Sequence, residues 1–158
     1  LLHEVLHIFG LINTTPESGQ YNIVNYQSGT TPYNSNIQDN VYYGPKGVAG
    51  YKQVLNDNNI STDSLSDYVP IENNFGSGTK FYHFEEGFIE DFVPETRIID
   101  GVVYPSVVNE LMTGFLDGDN FITPMTLGCL EDIGFTVNYD SEYVVTTSTS
   151  NPSKLIIQ

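Results

Sequence analysis

The chain has 158 residues, with 20 acidic against 5 basic side chains and a formal net charge of −15. That length supports one domain with a real core, and 39% hydrophobic residues, including 9 Phe and 11 Tyr, argue against wholesale disorder. So negative a field repels phosphate backbones and argues against nucleic-acid partners, and no apolar run approaches the roughly 20 residues a membrane helix needs.

Residues 1–10 read as an amphipathic helix. Leu1, Leu2, Val5, Leu6 and Phe9 fill its apolar positions, and Gly10 suits its C-terminus. No signal peptide is visible, which tells little, because the chain opens Leu-Leu without Met inside a helical motif; the helix is expected to lack its first turns. Residues 11–40, rich in Asn, Thr, Ser, Gly and Tyr, read as a long loop with one short strand near Tyr21–Tyr26.

A second helix is expected over 44–57, with Pro45 at its first position and Val48, Tyr51, Val54 and Leu55 on one face. Residues 58–80 read as a polar loop broken by Pro70. Within Arg97–Pro105, β-branched pairs flank Asp100-Gly101, the dipeptide favoured in type I′ turns, so a hairpin is expected there. Residues 123–134 form the clearest helix, with Thr123 as N-cap, Pro124 at its start, Gly134 as its stop, and Leu127, Leu130 and Ile133 along one stripe. Residues 141–158 are Ser/Thr-rich and read as a tail or linker.

The chemistry concentrates in HEVLH. On a helix, His3 and His7 share a face and can aim two imidazoles at one metal ion. Glu4 lies beside that face, placed to hold a water on the metal and take its proton. The bland alternative is a helix with two surface histidines and an adjacent acid. A tetrahedral catalytic zinc needs three protein ligands and one open position. The pattern extends to Gly10 as HExxHxxG, and the short metzincin form of that motif would place a third histidine at position 13, which is Asn13. His83 is the one remaining histidine, so a three-histidine site must use it. The alternative is a carboxylate as third ligand. Glu17 is too close in sequence, Glu72 lies in a loop, and Glu85 and Glu86 sit beside His83.

The order of these segments resembles the C-terminal part of a leishmanolysin-like metallopeptidase, a metzincin. In that family an insertion separates the HExxHxxG helix from the third zinc histidine, as Gly10 and His83 are separated here. VYYGPKGVAGYKQVL (41–55), VPIENNFGSGTKFYHFEE (69–86), NELMTGF (109–115) and FITPMTLGCLEDIGFTVNY (121–139) resemble further family segments in the same order, so the likeness covers roughly residues 1–139. It implies an α+β, metzincin-like zincin domain over 1–140 with an active-site helix, long irregular loops, a small hairpin and a C-terminal helix. The family's N-terminal sheet subdomain, the upper wall of the cleft, is expected to lie outside this sequence.

The likeness further implies Zn2+ bound by His3, His7 and His83, Glu4 as general base, and Met112 as the Met-turn residue flooring the metal. A protein or peptide substrate and an extracellular or cell-surface location follow from the same likeness. Asn109 and Glu110 match the family pattern without a chemical role that sequence assigns. Phe84 stands where the family has Trp, and the interval from His83 to Asn109 is longer than usual. A competing reading from another class is a non-catalytic, zinc-stabilised binding module with Glu4 idle. LDGDN (116–120) lacks the full spacing of an EF-hand loop and reads as a polar turn. Cys129, the single cysteine, excludes an intrachain disulfide and reads as a buried small hydrophobe.

Overall fold

A computed structural model describes residues 2–12, 24–25, 40–72, 78–79, 82–86, 97–99, 101–108, 110–115, 119–139, 144–146 and 156–157. They form an α+β fold with three helices: α1 (Leu2–Ile8), α2 (Pro45–Asp57) and α3 (Pro124–Asp132). The strands are short: β1 (Val24–Asn25), β2 (Asn40–Tyr42), β3 (Val69–Pro70), β4 (Arg97–Ile99), β5 (Val102–Tyr104), β6 (Val107–Val108), β7 (Asp119–Phe121), β8 (Val144–Thr146) and β9 (Ile156–Ile157).

β1, β2 and β3 make a three-stranded antiparallel sheet, with Val41 facing Val24 on one side and Pro70 on the other. Single bridges extend it, from Ile71 to Phe84 and from Phe84 to Thr113. The expected hairpin is present as β4–β5, and Gly101 takes φ 79 at its turn. β6 pairs with β9 and β7 with β8, so the Ser/Thr-rich segment carries two short strands that run back onto the domain. Its β-branched pairs, Val144-Val145 and Ile156-Ile157, suit extended backbone. Residues 58–80, read from sequence as a polar loop, contain β3. Val69 and Ile71 are both buried there, and Pro70 accepts without needing to donate to the ladder.

All three helices end the same way. The residue after the cap is left-handed: Gly10 (φ 89), Asn59 (φ 63) and Gly134 (φ 99). In α1 the Gly10 amide donates to the His7 carbonyl and the Leu11 amide reaches back to Leu6, the paired bonds of a Schellman motif. The same pair of bonds closes α2 (Asn59 to Asn56, Ile60 to Leu55) and α3 (Gly134 to Glu131, Phe135 to Leu130). Leu6 and Leu11 are both buried, so the motif that ends α1 also turns the chain inward.

α2 and α3 pack with little between them. An added methyl on Gly128 would lie 2.5 Å from the Lys46 carbonyl carbon and 2.8 Å from the Gly47 nitrogen. One on Gly50 would lie 2.5 Å from the Pro124 carbonyl carbon. Backbone therefore meets backbone, and only glycine fits. α3 buries Met125, Thr126, Gly128 and Cys129. Leu127, Leu130 and Ile133, the expected stripe, are half-buried, and Leu130 and Ile133 pack against the core. Asp132 joins the helices further, accepting from the Lys46 and Gly47 amides (3.1 and 2.8 Å) and from the Tyr42 hydroxyl (2.9 Å). It thus caps α2 across the seam, where Gly44 offers no side chain.

The core runs from these helices to the sheet through Tyr51, Leu55, Val69, Ile71, Phe84, Ile99, Tyr104, Leu111, Met112 and Met125. Its buried tyrosines keep partners: Tyr51 donates to the Pro105 carbonyl, and Tyr104 accepts from the Ser66 amide. No described helix is long and apolar enough to cross a membrane.

Candidate metal centre

α1 brings His3 and His7 onto one face, as a four-residue spacing requires. His83 arrives from the far side of the cleft on the segment beside β3. Its own carbonyl accepts from the Glu72 amide at 2.9 Å, and the next residue, Phe84, donates to the Met112 carbonyl at 2.9 Å. The three imidazoles meet through their Nε2 atoms: His3 to His83 is 3.0 Å, and His7 lies 3.2 Å from each. Among the described residues this is the one group of three or more His, Cys, Asp or Glu that could hold a metal ion.

The outer nitrogens decide what the inner ones carry. His3 Nδ1 lies 2.5 Å from the Leu111 carbonyl oxygen, and His83 Nδ1 lies 2.8 Å from the Thr79 carbonyl oxygen. A carbonyl oxygen can only accept, so each Nδ1 carries the proton and donates. In the neutral rings, both Nε2 atoms then present lone pairs to each other at 3.0 Å. That contact is repulsive unless an electrophile sits between them.

A proton could serve, but the surroundings disfavour it. Burial pulls His83 down to about 4 from 6.5, with the neighbouring His7 and His3 lowering it further. Burial and His3 lower His7 as well, while the backbone of Leu11 and the Glu4 carboxylate pull the other way. Burial thus favours the neutral imidazole at His7 and His83, the form that ligates metals.

The cluster opens on a cleft of about 400 Å³. Glu4 is exposed and lines it, one residue from His3, while Leu11 and Ile12 line it from the chain leaving α1. Gly78, Tyr82 and Gly114 complete the lining. Gly10 performs the expected sharp exit from the helix. Ile12 follows at φ 50 and is fully buried, a left-handed conformation that is unusual for a β-branched residue. Asn13, Asn109, Glu17 and residues 73–77, 80–81 and 116–118 lie outside the described residues. Glu72, Glu85 and Glu86, the carboxylates weighed as third ligand, are buried and do not belong to the metal-binding group.

Met112 is fully buried in the turn Glu110–Thr113, which underlies the cluster through its backbone. The Leu111 carbonyl holds His3, and the Met112 carbonyl holds the segment that carries His83. The residue that sequence reasoning left without a role is Glu110. It is fully buried, and it accepts from the Met112 amide at 2.5 Å, from the Thr123 hydroxyl at 3.2 Å and from the Thr126 hydroxyl. Burial pushes its carboxyl up to about 7 against those hydrogen bonds. A signal for it was present: an acid inside an apolar run must find donors, and TPMT (123–126) supplies two hydroxyls one helical turn apart. Cys129 is buried as expected, and burial raises its thiol well above the ordinary range.

Comparison of the chain with protein-family models, curated proteins and solved structures returns no significant match.

Proposed function

We propose that this chain is the C-terminal part of a leishmanolysin-like zinc metalloendopeptidase, with His3, His7 and His83 as zinc ligands and Glu4 as general base. The observation that carries the reading is the convergence of three Nε2 atoms at 3.0–3.2 Å with two Nδ1 protons turned outward to carbonyls. Three nitrogens about 2.0–2.1 Å from one tetrahedral zinc stand roughly 3.3 Å apart. The observed spacing of 3.0–3.2 Å would therefore suit one such ion. Outward hydrogen bonds of this kind fix the tautomer and aim the ligating nitrogen.

Zinc held by His3, His7 and His83 would supply a Lewis acid and lower the pKa of water at that site to about 7. The rest falls to the chain. Glu4, at the mouth of the cleft, takes the proton of the attacking water and returns it to the leaving amine. His3, His7 and His83 would hold the metal through uncharged nitrogen lone pairs, and the metal would polarise the scissile carbonyl. The cleft is open, consistent with an extended peptide lying across it. The metzincin-like domain spans residues 1–140 in this reading.

The test uses Glu4→Gln in the enzyme that includes the preceding subdomain. The expected result is stoichiometric zinc with peptide hydrolysis reduced by several orders of magnitude. Zinc retention with unchanged hydrolysis would remove Glu4 from the mechanism. Zinc retention in a wild-type enzyme that hydrolyses no peptide would favour a zinc-stabilised binding module.

A further inference from the structure

Two of the three histidines depend on one turn. The Leu111 carbonyl accepts from His3 Nδ1 at 2.5 Å, and the Met112 carbonyl accepts from the Phe84 amide at 2.9 Å, next to His83. What holds the turn is a side chain in the protein interior. Glu110 Oε2 accepts from the Met112 amide, while Oε1 accepts from the Thr123 and Thr126 hydroxyls on the start of α3. The Thr113 hydroxyl closes the same turn by donating to the Glu110 carbonyl at 2.7 Å. At the other end, the Phe115 amide donates to Glu86 Oε2 at 2.8 Å. The Leu111 amide donates to the Phe121 carbonyl at 2.8 Å, a further anchor for the turn.

We infer that Glu110 is a positioning residue for the metal site: its carboxylate orients the Met112 amide, and with it the Leu111 carbonyl that fixes His3 as the Nδ1–H tautomer. The inference rests on the zinc reading above for its consequence, though not for the tautomer itself. The path is short. Met112 N belongs to the peptide unit whose carbonyl is Leu111 C=O, and that unit is planar. A carboxylate gripping the N–H therefore sets the direction of the C=O on the opposite side of the same plane. If the peptide tilts, His3 loses the acceptor that selects its tautomer, and its Nε2 lone pair no longer faces the other two rings.

The geometry also says which substitutions matter. Glutamine keeps an acceptor for the Met112 amide, because its amide group can turn its NH2 toward the Thr123 and Thr126 hydroxyls. Those hydroxyls accept as readily as they donate. Aspartate keeps the charge and withdraws the carboxylate by about one C–C bond, ~1.5 Å, out of reach of the Met112 amide. Shape and charge are thus separable at this position.

The experiment measures two things on the folded chain. The first is the ring-nitrogen chemical shifts of His3 in the metal-free protein, assigned with His3→Gln, which report the tautomer directly. The second is cobalt(II) affinity and the visible absorption of the cobalt complex. Glu110→Gln is expected to keep the single Nδ1–H tautomer, wild-type affinity and the wild-type spectrum. Glu110→Asp is expected to give mixed tautomers, an affinity weakened about 10- to 100-fold and an altered cobalt band. Two wild-type-like variants would overturn the inference, as would a glutamine variant that falls as far as the aspartate one. Wild-type protein that binds no cobalt would instead refute the metal reading, while the tautomer measurement still decides the role of Glu110.

Discussion

Gly128→Ala tests how α2 and α3 are held together. The new methyl would lie 2.5 Å from the Lys46 carbonyl carbon and 2.8 Å from the Gly47 nitrogen. Carbon atoms pack best at about 3.5–4.0 Å, so the seam must open by roughly 1 Å. The obstructing atoms are backbone at the start of α2, so no side chain can swing away. Overpacking of this kind costs about 1–3 kcal/mol, and a rigid obstacle argues for the upper end. Alanine is about 1 kcal/mol better than glycine inside a helix. The net expectation is a loss of about 2 kcal/mol. Urea denaturation followed by circular dichroism reads it as a midpoint lowered by roughly 1 M, for a slope near 2 kcal/mol per M. Gly78→Ala, where the methyl would meet nothing within 4 Å, is the control, with an expected change within about 0.5 kcal/mol. A Gly128→Ala protein as stable as wild type would refute the backbone-on-backbone packing.

Asp132→Ala removes the acceptor for two α2 amides and for the Tyr42 hydroxyl. It should destabilise by about 2 kcal/mol, a lost cap plus a buried hydroxyl without its partner; an unchanged urea midpoint would show that α2 needs no cap from α3. In the metal-free protein, His83 should titrate near 4 by the pH dependence of its ring proton shifts. Between 6.5 and 4 the folded state binds fewer protons at His83 than the unfolded chain does. Its contribution is therefore full above 6.5 and is lost as pH falls, on the order of 2–3 kcal/mol. A midpoint near 6.5 would mean that His83 is neither buried nor crowded by the other histidines.

The helices were legible because their signals are local. Pro45 and Pro124 sit at helix starts, Thr123 caps α3 by accepting from the Met125 amide, and Gly10 and Gly134 take the left-handed conformation that ends a helix. His3 and His7 were legible from their spacing, and His83 from the lack of another histidine. What stayed hidden depends on contacts distant in sequence. The exposed-looking polarity of Asp132 conceals a cap for a helix more than 80 residues away. The need for glycine at 128 was hidden because it depends on the close approach of the α2 backbone. β3 was missed because Pro70 reads as a loop residue until its carbonyl is seen accepting from the Glu85 amide. Glu110 was noticed without a role, since its donors lie on α3 and its effect passes through a peptide plane to His3.

The central claim is that the imidazoles of His3, His7 and His83 form a metal site. X-ray absorption at the zinc edge of the loaded protein measures it most directly. The expected result is three nitrogen scatterers with imidazole outer-shell features at about 2.0–2.1 Å and one further light atom, with His83→Ala losing one imidazole. A spectrum with fewer than three imidazoles, or one left unchanged by His83→Ala, would contradict the account.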